Sequence, residues 1–193
     1  MMKIIKILWC LTLTFALSGC SMLTDYRESE QVIVVSAIGF DYKDSLLKVS
    51  AETVSKAESN ESIIITSAGK DIENSIKNLK KTAGVPLILS HCGATVLGQT
   101  LSTEQANEIL MYLCTLYEFP SDSSVMSSGD ALSLLKCKSI TGEQVGYGLM
   151  RLLKENDIDS RLFVVLRNEK IALPIFKVEE NNYILKDNLW TLK

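Results

Sequence analysis

Histidine occurs once among the 193 residues, at His91, proline three times, and aromatic side chains make up 7% of the chain. A single imidazole excludes every metal or catalytic site that needs two. Three prolines and ten glycines exclude collagen-like and Pro/Gly-rich low-complexity chains. Basic charge is also scarce: 20 Lys and Arg stand against 23 Asp and Glu, a net charge of −3. Gripping a phosphate backbone calls for a basic domain or a clustered basic face, so nucleic acid is not an expected partner. No G-x-S-x-G, P-loop, H-E-x-x-H or C-x-x-C motif occurs, and scattered acids such as Glu179 and Glu180 read as a solvated turn. The expectation is a protein that is not an enzyme, with no dissociable cofactor and no metal.

Long hydrophobic runs are missing as well. The longest near the start, Ile7 to Leu17, has 11 residues. As a helix it would cover about 17 Å, against a hydrocarbon core of about 30 Å, so it does not span as a stable anchor. Lys3 and Lys6 precede it, and the small pair Ser18-Gly19 follows. That order is a signal peptide over residues 1–19. Its end, Leu17-Ser18-Gly19-Cys20, has the form of a bacterial lipobox: a branched apolar residue, two small residues, then a thiol able to carry a diacylglyceryl thioether. Small residues let a peptidase hold the extended backbone closely, and cleavage is expected before Cys20. Two acyl chains, each contributing about 0.8 kcal/mol per buried CH₂, make a stable anchor where one does not. Removal of residues 1–19 takes two lysines and no acid, so the remainder is more acidic than the whole.

Residues 20–31 form a lipidated leader with no Gly/Ser-rich spacer, which keeps the domain near the membrane. Within it Asp25, Tyr26, Arg27 and Glu28 are candidate partner contacts, because an Arg fork and carboxylates can pair with a partner's charges. Beyond it the periodicity alternates between strand and helix. Val32 to Phe40 reads as a buried strand, Asp41 to Asp44 as its turn, and Leu46 to Val54 as an antiparallel partner with one polar face, Lys48, Ser50 and Glu52. A loop over Ser55–Ser62 and a strand over Ile63–Ala68 follow. Ile72, Ile76, Leu79 and Ala83 recur at helical spacing, with Gly84 placed as the residue after the helix. Leu87–Leu97 reads as one strand or two broken at Gly93.

Ser102 and Gln105 form a capping box for a helix whose stripe holds Ile109, Leu110, Leu113, Cys114, Leu116 and Tyr117. Val125-Met126 reads as a strand and Ala131–Leu135 as a short helix. A second capping box, Thr141 to Gln144, opens a helix with Val145, Leu149, Leu152 and Leu153 inward. Leu162–Leu166 and Ile171–Ile175 read as a hairpin about Arg167–Lys170, followed by strands at Tyr183–Leu185 and Leu189–Leu192. The fold class expected is α+β: a mixed sheet with packed helices over 32–138, then a helix and the β-rich start of a second domain over 139–193. In an oxidising compartment the odd set Cys92, Cys114 and Cys137 allows one disulfide and one free thiol, with Cys114 packing on its stripe. His91 and Cys92 are neighbours in a strand and point to opposite faces, which argues against joint chemistry. Gly39 marks a bulge or a close backbone approach.

The order of these elements resembles the Ger(x)C family, the lipoprotein C subunits of spore germinant receptors. The lipobox, then Asp25-Tyr26-Arg27-Glu28, then Val32 to Asp41 ending in Gly39-Phe40-Asp41, is similar to that family's start. The likeness continues through the helix Asp71–Ala83, Leu87–His91, Val96-Leu97-Gly98, the helix bearing Ile109, Leu110 and Leu113, and Ala172-Leu173-Pro174-Ile175. Ser21 to Thr24 lie where the family usually places a tryptophan, and the chain stops around Lys193 without the family's later domain, so the resemblance is to a shortened or divergent member. It implies a non-enzymatic subunit on the outer face of the inner spore membrane. Its partners there would be two membrane-embedded proteins, the A and B subunits, and its role would be in nutrient-triggered germination. An extracytoplasmic lipoprotein that captures a small molecule in a cleft is the alternative, recognisable by a deep pocket with converging polar groups.

Overall fold

β-Branched residues and a tight turn lay down the first strands. The computed structural model describes residues 32–54, 62–139, 141–168 and 170–192. β1 (Ile33–Lys43) and β2 (Leu46–Thr53) pair antiparallel about Asp44 and Ser45, whose φ values of 57° and 61° suit the right-handed twist of a two-residue hairpin. The turn therefore comes later than Asp41, which is still in the strand. β3 (Ile63–Gly69) pairs antiparallel with β2; most of the loop expected before it lies outside the described residues.

α1 (Ile72–Ala83) starts where the Asp71 side chain accepts the Asn74 N–H and stops at Gly84, φ 69°. Both ends are the residue types such positions favour. β4 (Leu87–Ile88) and β5 (Ala94–Gly98) are separate strands. α2 (Thr103–Thr115) opens on the capping box of Ser102 and Gln105, with both reciprocal hydrogen bonds made. β6 (Ser124–Ser128), α3 (Ala131–Leu135), α4 (Val145–Glu155), α5 (Leu162–Arg167), β7 (Ile171–Glu179) and β8 (Asn182–Leu192) complete the order.

One eight-stranded mixed sheet runs β3-β2-β1-β5-β6-β7-β8, with β4 beside β1. β1, β5, β6 and β7 are parallel neighbours; β2, β3 and β8 run antiparallel to theirs. This is the expected α+β class. One face buries Val35, Ile38, Phe40, Val49, Leu97 and Val125 under α1, α2 and α5. The opposite face buries Ala37, Ala94, Val96, Met126 and Phe176 under α3 and α4.

Three expectations need correction. Leu162–Arg167 is a helix, not the first strand of a hairpin. Leu162 and Val165 sit three apart and both bury on the sheet, so tertiary packing overrides the β-propensity of Phe163-Val164-Val165. The hairpin is instead β7–β8, turning at Glu180 and Asn181 with φ of 49° and 67°. Its register shifts between Pro174 and Phe176, consistent with a proline that cannot donate to a ladder. Thr141 to Gln144 makes no capping box, since Gln144 caps α4 with no side-chain hydrogen bond. Finally, the domain boundary drawn after residue 138 does not interrupt the sheet. α4 covers the β1–β5 face, β7 pairs with β6, and Val32–Lys193 forms one unit.

Candidate functional site

Two carboxylates sit where the sheet meets the helices on its α3/α4 face. Glu52, on the β2 face that alternation marks as polar, is fully buried. Its Oε1 accepts the Val145 N–H at 2.7 Å and its Oε2 accepts the Gly146 N–H at 2.8 Å, so the side chain caps α4 from another element. The Ser36 hydroxyl donates to the same Oε2 at 2.8 Å. Ser36 occupies a register shift between Val35 and Ala37, and its carbonyl accepts the Gly93 N–H at 2.9 Å. This explains the missing capping box: the orphan amides of α4 are taken by a carboxylate 93 residues away in sequence.

Asp41 repeats the arrangement one helix away. Its Oδ1 accepts Ala131 N–H at 2.9 Å and its Oδ2 accepts Leu132 N–H at 3.1 Å, at the start of α3. Burial pushes the Asp41 carboxyl above its ordinary range, and the two amides pull it partly back. Close approach makes both seats possible. A Cβ on Gly146 would lie 2.8 Å from the Ser36 carbonyl oxygen and from Ala37 Cβ; one on Gly39 would lie 3.0 Å from Ala131 Cβ. Gly39 thus marks a close approach, while the bulge lies at Ser36. All four carboxylate oxygens accept protein hydrogen bonds, so these groups hold helices and are poorly placed to serve as proton acceptors for a ligand.

On the opposite face, side chains of α1 and α2 are open to solvent. Between α1 and α2 runs a trough whose two hollows adjoin at Glu73 and Tyr112. Asp71, Glu73 and Glu108 line one end, Lys77, Lys80 and Lys81 the other. Ile76, Tyr112 and Leu116 line it between, with Met111 58% exposed on its edge and Tyr117 fully exposed beyond. Lys80 bonds Glu118 at 3.0 Å. Among the described residues no group of three His, Cys, Asp or Glu side chains is placed to hold a metal ion.

The candidate residues of the leader, Cys20, Asp25, Tyr26, Arg27 and Glu28, lie outside the described residues. Cys92, Cys114 and Cys137 are all free thiols, so the disulfide allowed by their number is not formed among them. Cys114 is exposed and does not pack into the core, whereas Cys92 and Cys137 are buried. His91 is exposed beside the buried Cys92, in a turn.

A family model described as the spore germination protein N-terminal domain matches residues 25–167. The chain belongs to this family. As a Ger(x)C member it carries the domain of germinant-receptor C subunits and its role lies in spore germination. No curated protein and no solved structure matches the chain. Within the germination domain fall Asp25 to Glu28, both carboxylate seats and the whole α1–α2 trough; the match ends on the last residue of α5, leaving β7 and β8 beyond it. Sequence reasoning missed both carboxylate seats and the trough. The signal for the trough was present: Glu73, Lys77 and Lys81 recur every four residues on α1, one helical face, and Glu108, Met111, Tyr112 and Thr115 fall at i, i+3, i+4 and i+7 on α2.

Proposed function

We propose that this chain is the membrane-anchored lipoprotein subunit of a nutrient germinant receptor, acting by association and not by catalysis. The match of residues 25–167 to the germination domain, directly behind the Leu17-Ser18-Gly19-Cys20 lipobox, carries the reading. Cleavage before Cys20 leaves a cysteine whose sulfur bears a diacylglyceryl group, with an acyl chain on the new amino terminus. Apart from this covalent lipid the protein has no cofactor. The lipid holds the domain on the extracytoplasmic face, in the inner membrane of the spore, beside the membrane-embedded A and B subunits. Asp25, Tyr26, Arg27 and Glu28, next to the anchor, contact those partners at the bilayer surface. No helix among the described residues is long and apolar enough to cross a membrane.

An associating role accords with where the buried charge goes: Glu52 and Asp41 cap helices. A small-molecule-binding lipoprotein is less well supported. The hollow near the end of α4, lined by Asp122, Lys154, Asp157 and Arg161, mixes both signs of charge on exposed side chains and offers a single buried polar side chain, Ser160, where such sites converge several. Fractionation of cells expressing the wild type and Cys20→Ser tests the anchor. The wild type is expected in the membrane fraction as a processed form, and Cys20→Ser as an unprocessed one. A Cys20→Ser chain that is processed and membrane-bound like the wild type would refute the anchor.

A further inference from the structure

We infer that the trough between α1 and α2 seats an amphipathic helix of a partner protein, with that helix's amino-terminal, cation-bearing end over Glu73 and Glu108 and its carboxy-terminal, acid-bearing end over Lys77 and Lys81. The trough reverses charge along its length while its floor stays apolar. Ile76 is buried in that floor, Tyr112 and Leu116 are half-buried, and Met111 is exposed on its edge. Side chains at i, i+3, i+4 and i+7 of a docked helix meet such a floor. α1 has 12 residues and is about 18 Å long, room for about three turns of a partner helix laid alongside.

Charge sets the direction. A helix carries about half a positive charge at its amino terminus and half a negative charge at its carboxy terminus. Acids at one end of the trough and lysines at the other therefore favour one orientation, parallel to α1. Glu73, Lys80 and Lys81 also complement the dipole of α1 itself. Glu108 belongs to α2 and is not accounted for that way, and neither is an exposed Met111. Among the described residues Lys77, Lys81, Glu73 and Glu108 form no ion pair, in contrast to Lys80 with Glu118. A lipid surface would use the lysine end alone and be repelled by the acidic end, so the pattern favours a helix over a bilayer.

The inference deepens the receptor reading by naming the kind of segment a partner would present, and it is tested without that partner. The full chain is reconstituted in neutral phosphatidylcholine vesicles and titrated against two fluorescein-labelled synthetic peptides. Both are four-turn helices with the same leucine stripe; one runs from lysines to glutamates, the other from glutamates to lysines. The lysine-first peptide is expected to bind at least about tenfold more tightly, four surface pairs each contributing modestly. The combined change Glu73→Lys, Glu108→Lys, Lys77→Glu and Lys81→Glu, all exposed positions, is expected to reverse the preference. Equal binding of the two peptides, or a preference unmoved by the charge exchange, overturns the proposal. So does binding to phosphatidylglycerol vesicles with no discrimination between peptides. A germination phenotype that fails to appear would sink the receptor reading and leave this result standing.

Discussion

Replacing Glu52 by glutamine changes one oxygen to an NH₂ and nothing else in shape, which makes it the sharpest test of how α4 is held. The wild-type carboxylate shares two oxygens among three donors: Val145 N–H, Gly146 N–H and the Ser36 hydroxyl. A glutamine keeps one acceptor oxygen. Whichever way it is turned, its NH₂ faces at least one backbone N–H, donor against donor, in a site with no solvent exposure. Leaving a buried donor unsatisfied costs about 1–3 kcal/mol. Loss of the negative charge at a helix amino terminus removes about 0.3–1 kcal/mol more. Glu52→Gln is thus expected to destabilise by about 1–4 kcal/mol, or about 3–16 °C in Tm at this chain length. Ser36→Ala leaves the carboxylate with both amide donors, so it is expected to cost less, about 1 kcal/mol. Urea unfolding followed by far-UV circular dichroism measures both variants against the wild type. A Glu52→Gln protein within about 0.5 kcal/mol of wild type, the range of a bland surface change, would refute the buried seat.

Further outcomes follow from the same geometry. Gly146→Ala places a methyl against the Ser36 carbonyl and Ala37, backbone and core atoms with no room to give, and is expected to cost about 1–3 kcal/mol in the same unfolding assay. Asp41 titrates above its ordinary range because it is buried, so the folded state binds its proton more tightly than the unfolded state does. Its contribution is therefore greatest below about pH 4 and falls as pH rises through the folded value. The stability difference between wild type and Asp41→Asn should accordingly shift in favour of the variant over that rise, measured as Tm against pH, and a flat difference would contradict the reasoning. Of Cys92, Cys114 and Cys137, only Cys114 is exposed, so in native protein the aromatic disulfide reagent DTNB should label it first. Cys114→Ser should abolish that phase while the other two react only on unfolding. Truncation of the fully buried Leu110 to alanine should cost about 2–5 kcal/mol.

Much of the sheet was legible because local pattern and tertiary role agree there. The hydrophobic spacing of Ile72, Ile76 and Leu79 with Gly84 behind them, and the box of Ser102 and Gln105, name α1 and α2 from sequence alone. Where they disagree, the sequence misleads. Phe163-Val164-Val165 has strand composition, yet the packing of Leu162 and Val165 decides for a helix. Glu52 sits in an alternating strand whose polar side looks solvent-facing. Only the arrival of α4, from 93 residues further along, turns that side inward. The same long-range contact supplies the cap that Thr141 to Gln144 promised locally. Cys114 and Tyr117 fit a broad apolar stripe on α2, but only Ala106, Ile109, Leu110 and Leu113 of that helix are buried. Cys114 and Tyr117 are exposed and stand outside the lining of the trough.

In the proposed function the chain works on the spore membrane as part of an assembly. Affinity purification of an epitope-tagged chain from detergent-solubilised spore membranes, with quantitative mass spectrometry of what accompanies it, addresses that claim directly. The expected result is an amino-terminal peptide that begins at a lipid-modified Cys20, with multi-span membrane proteins in stoichiometric yield. A chain recovered alone from the soluble fraction, beginning elsewhere and carrying no lipid, would contradict it.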